Sequence, residues 1–220
     1  MDSVIAFFHD GGPFMIINVV FLMFGLAVVL ERYIMIFHFL DINEKTFVAS
    51  VEKYLKAGNV EAAAKACQVA PKPALSRATR TLLGLMKNGF ESPMIAIEEA
   101  MGEARSVVNT RVAWLWAIAN IATLVGLIGT VSGLINAFLS MNALAADQKA
   151  EALAGAIAEA MNNTFFGLSI AVICILGHLV VNSKAGSLIE KTEHSLFHFM
   201  NVYAQQRRGP RSAEPASAKA

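Results

Sequence analysis

The sequence predicts an all-α membrane protein with three transmembrane helices, in which spans two and three extend into the cytoplasm as long helices. Two observations support this fold class. Only 16% of the residues are charged, whereas soluble domains carry about 25%. The deficit comes from three long stretches with almost no charge. Each is long enough to cross a membrane, which takes about 18 apolar residues or more.

The first stretch is uncharged from Pro13 to Leu30. A cleaved signal peptide is the alternative interpretation, and it needs a basic start and a cleavage site of small residues. Asp2 and Asp10 precede the stretch, whereas no Lys or Arg does. We therefore predict a retained transmembrane helix over 13–40.

The second stretch is uncharged from Val112 to Ala146, and the third from Ala160 to Ser183. A helix made of the second stretch would be about 52 Å long, which exceeds the hydrocarbon thickness of about 30 Å. We therefore expect the second span to project beyond the membrane on one side. Nothing in the sequence stops the third span from continuing past the membrane as a long helix.

The basic residues predict the direction of the three spans. None lies in 1–12, ten lie in 41–111, one lies in the link 143–152, and six follow the third span. Cytoplasmic loops carry the excess of Lys and Arg, so segment 41–111 and the C-terminus are expected inside. The N-terminus and the link are then expected outside.

The segment between spans one and two predicts helices rather than a second globular fold. Gly58-Asn59 is typical of one helix ending and the next being capped. Ser92-Pro93 indicates another helix start, with proline at the first helical position. Since no breaker intervenes before Trp114, we expect that helix to run unbroken into span two.

These patterns divide the chain into eight segments. The last is small, polar and proline-bearing, a composition typical of disorder. In chain order the segments are an external N-terminus (1–12), transmembrane helix 1 (13–40), a cytoplasmic helical segment (41–111), transmembrane helix 2 (112–142), a periplasmic link (143–152), transmembrane helix 3 (153–184), a cytoplasmic helix (185–206) and a disordered tail (207–220).

Small and polar residues recur on one face of span two and on one face of span three, in both at steps of four, three, four and three. Small residues let membrane helices approach closely, because lipid gives helices no hydrophobic drive to associate. The two faces are Gly126, Thr130, Gly133, Ala137 and Ser140, and Ala160, Thr164, Gly167, Ala171 and Cys174. The glycines expected at helix contacts are Gly126, Gly129, Gly133 and Gly167.

Polar side chains are concentrated at the start of span three, where Glu159, Asn162, Asn163 and Thr164 lie within six residues. An ionisable side chain that faces lipid is costly, so Glu159 should face protein, water or a partner. The structural alternative is a carboxylate held just above the hydrocarbon boundary. For the threonines, the alternative is a hydroxyl that bonds only to its own backbone.

Other functional classes find no support in the residues. Cys67 and Cys174 are far apart in sequence, and no ligand cluster indicates a metal site. No nucleophile–base pairing, phosphate-binding loop or cofactor motif is present, so we predict neither an enzyme nor a bound cofactor. The net charge of +1 gives no indication of a nucleic-acid surface.

Two motifs together resemble a known family. The segment GLIGTVSGLINAF (126–138) is followed at short distance by GAIAEAMNNTFFGLSIAV (155–172). The pair closely resembles the signature of the MotA/TolQ/ExbB proton-channel family. Three spans with a modest cytoplasmic segment look like the TolQ/ExbB branch, because the flagellar MotA branch typically has four spans.

The resemblance implies an assembly in the bacterial inner membrane. Five copies of the chain would form a ring in the lipid bilayer. Two copies of an ExbD/TolR-like single-span partner, which carries a membrane aspartate, would sit in its lumen. The residues that match Thr130 and Thr164 lie on the ion route in the family, and the glutamate that matches Glu159 recurs there. The predicted ion pathway is completed by Asn163, which stands where the family has a less polar residue.

The function implied by the resemblance is that of a ring-forming subunit of an inner-membrane motor driven by protons or sodium. Such a motor couples ion flow to mechanical work on the cell envelope, in transport, envelope maintenance or gliding motility. The additional hydroxyl and amide oxygens suit a hard cation, so sodium stays open. The alternative is a non-conducting membrane scaffold or anchor for an envelope or motility machine.

Overall fold

The computed structural model describes residues 12–40, 43–68, 73–143, 145 and 147–208. The expectations for the N-terminus up to residue 11 and for the tail from residue 209 fall outside these residues. All secondary structure that is described is helical. In chain order the helices are α1 (Gly12–Ile34), α2 (Glu44–Lys56), α3 (Val60–Ala66), α4 (Ala74–Asn88), α5 (Pro93–Asn109), α6 (Val112–Ser140) and α7 (Lys149–Arg208), with a π-helical turn (Met35–Phe39) after α1 and a 3-10 turn (Met141–Ala143) after α6.

Among the residues that the structure describes, three segments are long and apolar enough to cross a membrane, namely Pro13–Phe39, Val112–Ser140 and Lys149–Arg207. The predicted class, an all-α membrane protein with three transmembrane helices, is confirmed. The extension of the third span is confirmed as well, because α7 continues without a break for 60 residues. Such a helix is about 90 Å long, which is roughly three times the hydrocarbon thickness of a membrane.

The expectation of an unbroken helix into span two is wrong. Helix α5 ends at Asn109 and α6 begins at Val112, and between them Arg111 adopts a left-handed backbone with a φ of 59°. That conformation costs a residue with a side chain about 1–2 kcal/mol. The Arg111 guanidinium donates to both carboxylate oxygens of Glu31, at 2.8 and 2.9 Å. The ion pair joins residues 80 positions apart, and because both side chains are more than a third exposed, it offsets only part of that cost. No Gly or Pro at positions 109–112 marks the break in the sequence.

The described residues form two compact units, of which the first lies within Met1–Ile34 and Arg111–Ser183. This membrane unit contains α1, α6 and the first part of α7. Small side chains at its centre permit the close contacts that stabilise membrane helices. Its buried core comprises Val28, Leu115, Ile118, Ala119, Ala122, Ile170, Ala171 and Cys174.

Large apolar side chains cover the outside of the membrane unit. Phe138, Leu139 and Phe165 are 56%, 65% and 68% exposed. An extensive exposed apolar surface marks contact with lipid or with other protein chains. The outside of this unit therefore has the composition that a membrane requires.

The second unit lies within Met35–Thr110 and Lys184–Ala220. It contains α2 to α5 and the last part of α7. Its core includes Leu82, Met101 and Phe199, none of which is more than 1% exposed. This unit has the buried apolar core of an ordinary helical domain.

Two helix boundaries predicted in this unit are confirmed. Gly58 adopts a φ of 72°, which glycine tolerates, and the Asn59 side chain accepts a hydrogen bond of 2.9 Å from the Ala62 amide to cap α3. Pro93 is the first residue of α5. The Ser92 side chain, however, makes no capping hydrogen bond.

Candidate functional site

Helices α6 and α7 approach each other closely at their glycines. A Cβ atom at Gly167 would lie 2.6 Å from the carbonyl oxygen of Ala122, and one at Gly126 would lie 2.9 Å from that of Asn163. Real Cβ atoms do not come this close to backbone atoms. The contact between the two helices therefore depends on glycine on both sides.

Gly129 and Gly133 extend the contact along α6. A Cβ atom at Gly133 would lie 2.9 Å from the Cβ of Ala160. One at Gly129 would lie 3.0 Å from the Asn163 side chain and 3.0 Å from the Cβ of Phe14 in α1. The structure thus places all four glycines predicted at packing positions at close helix contacts, and Gly129 meets α1 as well.

Thr130 and Thr164 face each other across this contact, and their hydroxyl oxygens touch. The Thr130 hydroxyl lies 3.1 Å from the carbonyl oxygen of Gly126 and 3.3 Å from that of Ala160. The Thr164 hydroxyl lies 3.2 Å from the same Gly126 carbonyl. One hydroxyl can therefore donate to the other, which donates in turn to a backbone carbonyl. The pair links α6 to α7 through a short hydrogen-bonded chain.

Thr123 of α6 shows the simpler arrangement of a membrane threonine. Its hydroxyl donates to the Ala119 carbonyl one turn earlier in the same helix, at 3.0 Å. A bond of this kind satisfies the hydroxyl without any second helix. The arrangement of Thr130 and Thr164 differs because each hydroxyl also reaches an atom of the facing helix.

Next to the threonine pair, α6 and α7 line a crevice of about 370 Å³. Pro13 and Phe14 of α1 form part of its wall. The polar residues in the lining are Ser132, Asn136 and Ser140 of α6 and Glu159 and Asn163 of α7. The four residues of the predicted ion pathway are therefore arranged as two neighbouring pairs, the touching threonines and the crevice residues Glu159 and Asn163.

Glu159 and Asn163 differ in their exposure. Glu159 is exposed, whereas Asn163 is only 5% exposed. The Oδ1 atom of Asn163 has no hydrogen-bond partner among the residues that the structure describes. A buried polar atom without a partner is uncommon in proteins and calls for a physical explanation.

Asn18 of α1 is a buried polar residue that sequence reasoning missed. It is fully buried, and within the described parts of the chain neither its Oδ1 nor its Nδ2 has a hydrogen-bond partner. A Cβ atom at Gly167 would lie 3.4 Å from the Nδ2. The sequence does show it as a single amide inside the first apolar stretch, and polar residues at membrane depth usually have a role. The other residues of this stretch are apolar on every side, so periodicity does not show which face of α1 meets protein.

The described residues thus contain three apolar spans, with a hydroxyl pair and a polar crevice between the second and third. The chain belongs to the MotA/TolQ/ExbB proton channel family, whose model matches residues 75–194. That range includes α6, the threonine pair and the crevice residues of α7. The family predicted from the paired motifs is confirmed.

The chain is similar to the biopolymer transport protein exbB1 of Vibrio cholerae serotype O1, with 33% identity over 112 residues. The match covers 49% of this chain and 49% of that protein. The chain thus spans about half the length of the curated relative it matches. The similarity agrees with the TolQ/ExbB branch predicted from the three spans.

Proposed function

We propose that this chain is a ring-forming subunit of an inner-membrane motor driven by proton or sodium flow, and that it is not an enzyme. Membership of a proton channel family supports the ion-driven class. The observation that carries the proposal is the contact between the hydroxyls of Thr130 and Thr164. Close packing alone needs small side chains at this position, and it does not need two facing hydroxyls.

In this proposal the ion passes the threonine pair. Each hydroxyl can donate and accept a hydrogen bond, so the pair can rearrange its bonds as the ion moves. The uncharged stretches 112–146 and 160–183 contain no carboxylate. The group that takes up and releases the ion would belong to a partner, an ExbD/TolR-like single-span protein with a membrane aspartate, present in two copies.

The proposed assembly is a homopentamer in the lipid bilayer of the bacterial inner membrane. The exposed apolar side chains of the membrane unit support contact with lipid and with neighbouring copies. The distribution of basic residues supports a periplasmic N-terminus and a cytoplasmic C-terminus. The motor would perform work on the cell envelope, in transport, envelope maintenance or gliding motility.

Valine replacements of the two threonines test this function, because valine keeps the shape and removes the hydroxyl. Thr130→Val and Thr164→Val should leave the ring and partner binding intact and sharply reduce ion-dependent work. Loss of one interaction worth about 1 kcal/mol slows transfer roughly fivefold. Thr123→Val is the matched control, because the Thr123 hydroxyl bonds within its own helix, and it should work at the native rate.

The measurements are the mass of the purified ring, co-purification of the partner, and ion-dependent work in cells that carry each variant. If both variants of the threonine pair assemble and work at the native rate, the hydroxyls are not on the ion route. The chain is then better described as a non-conducting scaffold or anchor.

A further inference from the structure

We propose that Asn18 of α1 and Asn163 of α7 form a latch between the first and third spans. In the latched arrangement, α1 has slid along α7 by less than one helical turn, and the Nδ2 of Asn18 donates a hydrogen bond to the Oδ1 of Asn163. The structure describes the chain with the latch open. The inference goes beyond the proposed function, because it concerns how the first span is held and involves no ion.

Both amides are buried without a complete set of hydrogen-bond partners among the residues that the structure describes. Asn18 is 0% exposed and both of its amide atoms are unpaired, whereas Asn163 is 5% exposed and its Oδ1 is unpaired. A buried amide that lacks a partner is unfavourable, and the more so at membrane depth. Because pairing the two amides removes this cost from both, the latched arrangement is favoured in the membrane.

Helices α1 and α7 lie side by side and run in the same direction. A Cβ atom at Gly167 would lie 3.4 Å from the Nδ2 of Asn18, and one at Gly25 would lie 2.7 Å from the Sγ of Cys174. The two residues of each pair are separated by the same interval in the sequence. The register between the helices is therefore the same at both contacts.

This register leaves each amide opposite a residue that cannot pair with it. Asn18 is level with Gly167, which has no side chain. Asn163 is level with Phe14, since a Cβ atom at Gly129 would lie 3.0 Å from the Cβ of each. Asn18 and Asn163 are thus four residues out of register, which is about 6 Å along the helix axis.

A slide shorter than this distance brings the amides together. Side chains of an α-helix lean towards its N-terminus, and along α1 that direction leads from the level of Asn18 to the level of Asn163. The reach of the side chains therefore covers part of the separation. Movement of one helix past another, by up to one turn, is a known transition between two packed states.

The residues in the contact between α1 and α7 suit such a slide. In the structure Gly25 meets the side chain of Cys174. One full turn further, Gly25 would meet Ile170, and Gly167 would meet Leu22. A glycine therefore faces an apolar side chain in both registers, so movement from the first towards the second does not set two large side chains against each other.

The ion pair at the cytoplasmic end of α1 permits a short slide. The side chains of Glu31 and Arg111 are 39% and 54% exposed. An exposed ion pair contributes little to stability, and both side chains are long enough to follow a movement of a few ångströms.

The test is a double-mutant cycle on the Tm of the full chain in lipid nanodiscs, with the mass of the assembly measured on each sample. Asn18→Leu and Asn163→Leu each replace an amide by an apolar group of similar size. Each single replacement leaves the other amide buried without its partner, and it should lower the Tm by roughly 2–6 °C. The double replacement removes both amides, so its Tm should return to within about 2 °C of the native value.

Asn162→Leu is the matched control, because it makes the same change at the neighbouring, half-buried position of α7. Combined with Asn18→Leu, it should not restore the Tm. A higher Tm in either single variant would show that the amide has no partner in the membrane, and single losses that add in the double variant would show two independent sites. Either result overturns the latch. If a single variant does not fold, the double variant still decides, because the latch requires that it folds.

Discussion

The contact at Gly167 permits a quantitative test of how the membrane unit packs. We predict that Gly167→Ala destabilises the chain, whereas Gly155→Ala, the same change in the same helix, stabilises it. The added methyl at Gly167 would lie 2.6 Å from the Ala122 carbonyl oxygen and 3.1 Å from the Cα of Gly126. A methyl at Gly155 would meet nothing within 4 Å.

The expected difference follows from two opposite effects. Forcing a methyl group against the backbone of α6 pushes the helices apart by several tenths of an ångström, and overpacking of this kind costs about 1–3 kcal/mol. In an open helix position, alanine is better than glycine by about 0.5–1 kcal/mol. The free energies of unfolding of the two variants should therefore differ by about 1.5–4 kcal/mol, and their Tm values by at least about 3 °C.

The assay is thermal unfolding of both variants in one detergent, with the mass of the assembly measured on the same samples. Native-like assembly by Gly155→Ala shows that a methyl group on α7 is not harmful in itself. Equal Tm values for the two variants, or a more stable Gly167→Ala, would refute the close contact between α6 and α7.

Two further predictions concern topology and a buried thiol. A cysteine placed at Asp147 should be labelled from the periplasmic side, whereas one at Lys65 should not, and the reverse pattern would invert the topology. Burial raises the pKa of the Cys67 thiol to about 11, so iodoacetamide should label it slowly in the folded chain even at pH 9–10, as mass spectrometry will show. Between pH 9 and 11 the thiol ionises in the unfolded chain but not in the folded one, so the free energy of unfolding should fall as the pH rises. A labelling rate whose midpoint lies near pH 9 would contradict the burial of Cys67.

The site between α6 and α7 was predictable because membrane helices pack through their small residues. The regular spacing of Gly126, Thr130 and Gly133 defines one face of α6, and the same spacing on α7 defines the face opposite. Because these two faces pack against each other, hydroxyls on them can meet at the same depth in the membrane. The spacing does not show that Thr130 and Thr164 share the carbonyl of Gly126, because register between helices is set by contacts of the whole unit.

The contribution of α1 to the site was not predictable from the pattern. Apart from Asn18, its stretch is apolar on all sides, so periodicity gives no inward face and no reason to expect Phe14 beside Asn163. The break at Arg111 escaped prediction for a different reason. The residues before it, Val108, Asn109 and Thr110, are only modest helix formers but include no Gly or Pro, and the Arg111 side chain pairs with a distant carboxylate.

The ion pair between Glu31 and Arg111 has a consequence for the order in which the chain folds. Arg111 leaves the ribosome 80 residues after Glu31, so the pair can close only when α1 is already made. Until then the ion pair cannot stabilise the left-handed backbone of Arg111, although no Gly or Pro at positions 109–112 interrupts the sequence between α5 and α6. We therefore expect the ion pair at the break to form only after the first span has packed against the second.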